Sequence, residues 1–277
     1  MFEKIYNFLA FEITPPKSFG WFHLFSLASV LFLTIIICKK CKSSSERTER
    51  LIAFWIFAAL IALEAYKQFV YAFIRTDEGI VFDYSWHGFP FQLCSSPLYV
   101  LPFIAFLPSG KLREAFAAFY GSFVLLGGLA VCIYPGNVLV ETLGINFHTM
   151  FWHGSQVSLG VYFNLRRFSS KNPPRLKGYF LSAFFVFLSF VVIAMLLNEG
   201  FYYFFTQRGY DDTFNMFFIS RHFECIFPVL DWIQAHTPHP VFLLSYVVIL
   251  SVFSFILILS EKLIIDKISK NKTKKSN

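Results

Sequence analysis

Long apolar stretches alternate with short polar gaps along this chain. Seven windows of roughly twenty residues are each long enough to cross a hydrocarbon core about 30 Å thick. They cover residues 21–38, 51–74, 89–108, 115–134, 147–165, 179–198 and 241–260. Prolines, paired glycines and histidines interrupt the third, fourth and fifth windows, but membrane helices tolerate such residues when neighbours bind the freed backbone groups. The pattern therefore predicts seven transmembrane helices.

The amino-acid composition is typical of a membrane protein and not of a soluble one. Of the 277 residues, 56% are hydrophobic, 21% are aromatic and 15% are charged, whereas charged residues make up about a quarter of a soluble domain. This composition excludes a soluble fold. The chain is predicted to be an all-α polytopic integral membrane protein.

Lysine and arginine occupy alternate gaps, and this asymmetry predicts an orientation. The basic gaps lie at residues 39–50, 111–113 and 166–177, and in the tail after residue 262. Short loops rich in lysine and arginine stay in the cytoplasm, so the N-terminus is predicted outside and the C-terminus inside. The net charge of +7 then reflects this orientation and contact with anionic lipid headgroups, and no nucleic-acid partner is expected.

Three regions follow from this topology. Residues 1–20 are expected to lie on the outer membrane interface as a short amphipathic helix that ends at a pair of prolines. Residues 21–265 are predicted to form a single seven-helix membrane domain, and residues 266–277 a basic cytoplasmic tail. The longest gap, about 199–240, is expected to hold a re-entrant or interfacial segment near residues 215–230.

Polar residues inside the predicted helices concentrate in the outer halves of those helices. At about 1.5 Å per residue, Cys94 and His153 lie about 8 Å and 9 Å below the outer ends of their helices, so they share a level. Polar residues at such a depth usually face the bundle interior or a water-filled cavity. The other residues of this group are His23, Lys67, Gln68, Gln92, Cys132, His148, Gln156, Asn198 and Glu199, with Glu64 near the middle of its helix.

Helical spacing brings several of these residues onto common faces. Glu64 and Lys67 share one face through i,i+3 spacing, which allows the acid and the amine to neutralise one another. His148, His153 and Gln156 can line one broad face of the fifth helix. Each face could therefore contribute to a single polar site.

Two prolines shape the predicted third helix. Pro90 is expected in the first turn of this helix. Pro97 removes the amide that would bond to the carbonyl of Leu93, which opens the backbone beside Cys94.

Each candidate residue also has an ordinary structural explanation. A membrane cysteine such as Cys94 is commonly a small buried hydrophobe, and histidines on membrane helices commonly bond to neighbouring helices. Glu64 and Lys67 are most simply a structural ion pair. Cys132 and Cys225 can form a disulfide in an oxidising compartment, which leaves Cys94 as the unpaired outer thiol.

Two other functional classes receive little support from the residues. A zinc hydrolase would need ligands on one helix face, but His148 and His153 are five positions apart, about 140° around the helix. No metal and no cofactor is therefore predicted. The chain also shows neither an acidic-Arg-Tyr triplet after its third helix nor an Asn-Pro-x-x-Tyr in its seventh, so a G-protein-coupled receptor is not favoured.

The segment around the start of the third helix resembles a known family. Residues 87–95 read His-Gly-Phe-Pro-Phe-Gln-Leu-Cys-Ser and resemble the Pro-Leu-His/Gln-Leu-Cys-Ser signature of the YwaF-type bacterial integral membrane proteins. The stretch 146–153 and the Phe-Asn-Met at 214–216 fit this family more loosely, and Phe91 and Gln92 replace the commoner Leu and His. The similarity covers most of the chain in helix order, and the cysteine motif is its specific part.

That family resembles an animal transmembrane acyltransferase, which moves fatty acyl chains from phosphatidylcholine to lyso-ether-phospholipids through an acyl-cysteine. The resemblance implies that Cys94 is the nucleophile and His153 its base, with His148 as the alternative base. A thiol in apolar surroundings needs such an imidazole to take its proton. The remaining predicted site residues are Gln92, Ser95 and Gln156 as oxyanion donors and substrate contacts, and Glu64 and Lys67 as further substrate contacts.

The expected partners are membrane phospholipid and lysophospholipid, with water as the alternative acyl acceptor, in a bacterial inner membrane. Two non-enzymatic classes stay open. A transporter would use Glu64, Lys67 and His153 as a relay, and it would need polar residues that continue to the inner face, where the sequence offers almost none. A lipid-binding or scaffolding protein needs no nucleophile and would tolerate Cys94→Ser.

Overall fold

Ten α-helices and one β-hairpin are the main elements of the computed structural model, which describes residues 1–209 and 213–276. The helices are α1 Phe2–Leu9, α2 Trp21–Cys41, α3 Glu46–Tyr71, α4 Pro97–Phe106, α5 Lys111–Phe119, α6 Leu125–Ile133, α7 Leu143–Phe168, α8 Leu176–Arg208, α9 Leu230–His236 and α10 His239–Ser276. A π-helical turn, Tyr120–Val124, joins α5 to α6. The protein is therefore mostly helical, as predicted.

The β-hairpin is an exception to the predicted all-α class. Strands β1, Phe73–Thr76, and β2, Gly79–Phe82, pair antiparallel, with Phe73 opposite Phe82. Gly79 closes the turn at φ 120°, a backbone conformation that favours glycine. The predicted second helix, 51–74, consequently ends at Tyr71, because the chain turns into the first strand.

Four helices within the described residues are long and apolar enough to cross a membrane. They are α2, the continuous helix Lys111–Ile133, α8, and α10 as far as Asn271. Large apolar side chains such as Phe32, Phe185 and Phe253 project from three of them and are exposed, as expected where lipid is the surrounding solvent. The protein is an integral membrane protein.

The other three predicted segments also coincide with helices, but these helices are shorter or more polar. α3 carries Glu64 and Lys67 within its length, and α7 buries two histidines and several amides. α4 has ten residues, which span about 15 Å, half the thickness of a hydrocarbon core. Sequence windows alone therefore overestimated the apolar length of these segments.

The third predicted segment, 89–108, differs most from expectation. The α-helix begins only at Pro97, in the first turn where a missing amide is harmless. Leu93–Ser95 forms a 3-10 turn, and Pro90 lies in a bend before it. Pro90 is therefore not in the first turn of a helix, and Cys94 lies on a turn just before α4 rather than inside a helix.

The predicted interfacial helix at the N-terminus is present as α1, but it ends at Leu9, well before the prolines. The Tyr6 hydroxyl donates to the Phe73 carbonyl at 2.8 Å, and the Tyr66 hydroxyl donates to the Leu9 carbonyl at 2.7 Å. These bonds attach α1 to the hairpin and to α3. At the other terminus, α10 continues through most of the predicted tail, and Asn277 lies outside the described residues.

α7 is the central helix of the bundle. Most of its side chains are buried, and it packs against α2, α3, α5, α6 and α10. α8 packs across the Lys111–Ile133 helix through stacked phenylalanines. The ring centroids of Phe123 and Phe187 are 4.2 Å apart, and those of Phe119 and Phe190 are 5.3 Å apart. Functional groups on α7 are thus shielded from lipid on several sides.

One end of the bundle holds a buried ion-pair network around Glu49. This carboxylate is 1% exposed and lies 2.5 Å from Arg113, 2.6 Å from Arg166 and 3.1 Å from Arg167. These residues belong to or border the first, third and fifth gaps, so the structure places three of the basic gaps at one end, as the charge pattern predicted.

Buried polar residues also continue along α7 near that end. Asn164 donates to the Gly121 carbonyl of the π-helical turn at 2.6 Å and to Glu261, and its own oxygen accepts from Tyr179 at 2.7 Å. The expectation that buried polar groups avoid this half of the bundle was therefore wrong. Residues 49, 113 and 167 lie in the polar gaps of the sequence pattern, and folding buries their charges as partners of one another.

Replacing Glu49 by alanine is expected to destabilise the fold by about 3–5 kcal/mol, because three buried or half-buried arginines lose their shared carboxylate. The measurement is the free energy of unfolding in detergent micelles. Asp266→Ala is the matched control, since it removes the carboxylate of an exposed pair with Lys262 worth about 0–1 kcal/mol. Equal destabilisation by the two variants would contradict the assigned role of the network.

Candidate functional site

Two side chains of α7 hold the backbone of the cysteine turn. The Cys94 carbonyl accepts hydrogen bonds from Trp152 Nε1 and Gln156 Nε2, both at 2.6 Å. Trp152 and Gln156 are four residues apart and so lie on one face of α7. Cys94 is partly exposed, while Ser95 and Ser96 after it are buried. The turn is thus fixed by hydrogen bonds to its main chain.

His153 directly follows Trp152 in α7. Its Nδ1 is 2.8 Å from the Thr149 carbonyl. A carbonyl can only accept, so Nδ1 carries the hydrogen and Nε2 of the neutral ring holds a lone pair. Nε2 is buried and has no hydrogen-bond partner among the described residues. Because buried polar atoms are normally paired, this nitrogen is available to accept a proton.

Glu64, Lys67 and His148 form a charged cluster beside the turn. Lys67 Nζ is 2.8 Å from Glu64 Oε1, so the predicted ion pair is present. The second oxygen, Oε2, is 3.7 Å from His148 Nε2, beyond hydrogen-bonding distance. The His148 ring stacks on Trp152 with centroids 4.9 Å apart. A continuous series of contacts therefore runs from Lys67 to the carbonyl of Cys94.

The thiol of Cys94 is free, and polar groups of α3 and of the cysteine turn itself act on it. Lys67 and Glu64 interact with it electrostatically, and the Ser95 hydroxyl interacts with it directly. The other four cysteines are also free, so Cys132 and Cys225 are not joined in this structure. Cys132 packs beside α7 with Leu125, whereas Cys225 belongs to the main apolar core.

Gln92 binds backbone with both atoms of its amide. Its Nε2 donates to the Asn215 carbonyl at 2.8 Å, and its Oε1 accepts from the Phe217 amide at 2.7 Å. Gln156 Nε2 is similarly engaged by Cys94. Of the three predicted oxyanion donors, Ser95 differs from the two amides, because its hydroxyl donates to no backbone carbonyl among the described residues. The two amides position the main chain of the site.

The predicted re-entrant region near 215–230 is an irregular segment that packs against the cysteine turn. It contains one 3-10 turn, Met216–Phe218, in which Phe217 has φ 58°. Asn198 of α8 binds the Met216 amide at 2.7 Å and the Met216 carbonyl at 3.0 Å. Non-helical backbone at membrane depth requires such protein partners. Gln92 and Asn198 supply them from two sides.

Sequence reasoning missed Trp152 as a site residue. Its position between two histidines was visible, and a buried indole N–H usually needs a partner. The partner itself, a carbonyl 58 residues away, could not be read from the chain. Asn198 had been placed at the outer level, but its role in binding the irregular segment was equally invisible.

Gly128 allows α6 to approach the site. A Cβ at this position would lie 2.7 Å from Gln156 Cβ and 3.0 Å from the His153 carbonyl oxygen, both closer than ordinary van der Waals contact. Gly127, the preceding residue, has nothing within 4 Å of a Cβ. A side chain can therefore be added at Gly127 without a clash, whereas Gly128 determines how closely α6 and α7 pack.

The arrangement defines a polytopic integral membrane protein with a polar site centred on a cysteine. Residues 18–258 match the model of the TMEM164 family, and the chain belongs to this family. The match confirms the predicted relation to the animal transmembrane acyltransferase. Comparisons with curated proteins and with solved structures found no match. Among the described residues, no group of three or more His, Cys, Asp or Glu side chains is placed to hold a metal ion.

Gly128→Ala is expected to cost about 1–3 kcal/mol through overpacking between α6 and α7, and to loosen the bond between Gln156 and Cys94. Unfolding in micelles and the rate of Cys94 alkylation measure the two effects. Gly127→Ala is the control and should leave both quantities nearly unchanged. The packing assignment fails if the two alanine variants behave alike.

Gln92→Ala leaves the Asn215 carbonyl and the Phe217 amide unpaired, at a cost of about 1–3 kcal/mol for each group. Amide hydrogen exchange should accelerate in residues 213–229, whose backbone this side chain holds. Gln207→Ala, at the exposed end of α8, provides the control. Unchanged exchange in the Gln92 variant would show that the segment does not depend on this side chain.

Proposed function

We propose that this protein is a membrane phospholipid acyltransferase or acyl hydrolase, with Cys94 as nucleophile and His153 as base. The observation that carries the proposal is the buried Nε2 of His153, which has no hydrogen-bond partner among the described residues and belongs to the residue after Trp152, a donor to the Cys94 carbonyl. Membership of the TMEM164 family is consistent with a lipid-related role. Cys94 as a residue is partly exposed, and its thiol is not in a disulfide.

The proposed reaction has two steps. His153 Nε2 takes the proton of the Cys94 thiol, and the thiolate sulfur attacks the carbonyl carbon of a phospholipid ester. The C–O bond breaks, the imidazolium returns its proton to the leaving oxygen, and a lysophospholipid departs, leaving an acyl thioester. A lysolipid hydroxyl or water then attacks the thioester carbonyl carbon while His153 accepts its proton; the C–S bond breaks, the acylated lipid or fatty acid departs, and the imidazolium returns the proton to the Cys94 sulfur.

The surrounding residues have supporting roles in this proposal. The Ser95 hydroxyl donates to the developing oxyanion, while Gln92 and Gln156 hold the backbone that carries it. Lys67, neutralised by Glu64 in the structure, offers a cation to the phosphate of the substrate. His148, which stacks on the anchoring Trp152, is the alternative base.

The proposed topology is seven transmembrane helices with the N-terminus outside and the C-terminus inside, in a bacterial inner membrane. Residues 1–20 then lie on the outer interface, and residues 266–277 in the cytoplasm. The clustering of three basic gaps at one end supports this orientation. From Arg167 at that end, fourteen residues of α7 extend about 21 Å to His153, which brings the cysteine site to the opposite leaflet.

A proton-relay transporter is less well supported by the same structure. Between the polar cluster at Glu64 and His153 and the network at Asn164, the buried polar side chains of α7 are Ser155, Gln156 and Ser158. Proton relays in membranes use chains of acids and histidines, and α7 carries neither between His153 and Asn164. This favours chemistry at one site over a relay through the bundle.

Incubation with phosphatidylcholine is expected to add an acyl mass to the purified protein, visible by intact-protein mass spectrometry and removed by hydroxylamine. Cys94→Ser should abolish the adduct, because no thioester can form. His153→Ala should slow its formation by about 10²–10⁴-fold, the usual contribution of a general base.

Cys38→Ser and His148→Ala are the matched controls, since they change another free cysteine and the neighbouring histidine. Both should retain the adduct. Slowing in the His148 variant alone would transfer the role of base to that residue. Absence of any adduct in the wild type, with phospholipid binding independently measured, would overturn the catalytic proposal in favour of a non-catalytic lipid-binding protein.

A further inference from the structure

A polar cavity of about 910 Å³ opens at the end of the bundle opposite Cys94, between the turns that follow α2, α4 and α7. Its size is at the upper end of the range for small-ligand sites. Six cationic and three acidic side chains line it, so three positive charges are in excess. These residues are Lys42, Lys111, Arg113, Arg166, Arg167 and Lys171, with Glu46, Glu49 and Glu114.

The arginines of this cavity are already engaged by carboxylates. Arg113 and Arg166 bind Glu49, and Arg167 lies 2.7 Å from Glu114. These ion pairs form a rigid wall, because each guanidinium has more than one partner on a different helix. The arginines therefore shape the cavity and do not account for its free positive charge.

The three lysines carry the excess charge. Lys42, Lys111 and Lys171 come from three different turns and line the same cavity, and none forms an ion pair with a described residue. Lys111 and Lys171 are exposed and Lys42 is half-buried, so together they give the mouth of the cavity a positive potential that attracts anions. The cavity thus presents three ammonium groups without counter-charge.

Uncharged donors complete the lining. Ser169 Oγ is buried and has no hydrogen-bond partner among the described residues. The N-terminus of α8 also reaches the cavity through Gly178, and its cap residue, Arg175, makes no side-chain capping bond. The first amides of a long helix carry partial positive charge and bind anions, phosphate in particular.

We propose that this cavity binds a phosphate-bearing anion. Lysine ammonium groups, a hydroxyl donor and helix amides are the groups that recognise phosphate, and the fixed arginine wall orients them. The phosphate belongs either to an anionic lipid headgroup or to a soluble molecule. The site lies about 21 Å along α7 from His153, so it is separate from the proposed acyl chemistry and does not rest on it.

The test uses the full-length protein in phosphatidylcholine nanodiscs. One arm titrates inorganic pyrophosphate by calorimetry, and the other counts phosphatidylglycerol retained in native mass spectra after its addition to the discs. The lining variant combines Lys42→Ala, Lys111→Ala and Lys171→Ala, which break no ion pair. The matched control combines Lys39→Ala, Lys177→Ala and Lys267→Ala, which remove equal charge outside the cavity.

The lining variant is expected to bind at least about tenfold more weakly than the wild type, because it lacks three cations that attract the anion, while the control changes little. A loss in the pyrophosphate arm identifies a soluble phosphate, and a loss in the lipid arm a headgroup. The proposal is overturned if the wild type binds neither probe, or if both triple variants lose binding equally. Acyl-adduct formation at Cys94, measured in parallel, should be unaffected.

Discussion

The structure depends on one constraint: non-helical backbone at membrane depth must find its hydrogen bonds within the protein. The segment from Phe89 to Ser96 meets it through Trp152 and Gln156, which bind the Cys94 carbonyl. The irregular segment after α8 meets it through Gln92 and Asn198. Because these side chains join two irregular segments to α7 and α8, the cysteine is held in a fixed main chain without being buried inside a helix.

α7 carries two polar regions with different roles. In its middle turns, Gln156 binds the cysteine turn, and near its C-terminal end Asn164 and Arg167 belong to buried networks. Between the two regions α7 buries apolar side chains such as Leu159 together with Ser158. A buried polar atom without a hydrogen-bond partner costs free energy of folding. The partner-free Nε2 of His153 therefore indicates a functional role, which a paired imidazole would not. In the other network, carboxylates pair with all three arginines. The excess positive charge at that end of the bundle therefore belongs to the lysines around the network.

Much of the local geometry followed from helical periodicity. The ion pair between Glu64 and Lys67 is an i,i+3 contact, and the bond from His153 to the Thr149 carbonyl spans one turn. Periodicity gave the wrong structure for the cysteine segment, where an apolar run with two prolines has the pattern of a helix although its first residues are not α-helical. It also did not predict the burial of Glu49, Arg113 and Arg167, because that burial depends on partners on other helices.

The chain by itself determined that this is a helical membrane protein, and which gaps share one end. Both properties depend on quantities that are summed over neighbouring residues. The first is the free energy of transferring some twenty consecutive residues into lipid, and the second is the number of lysines and arginines in each short gap. The cysteine motif likewise indicated the family. Only the tertiary structure decided that Trp152 and Gln156 bind the Cys94 carbonyl, that Gln92 binds a segment more than a hundred residues away, and that three lysines meet around one cavity. These contacts join distant parts of the chain, and their energies exist only once the helices have packed.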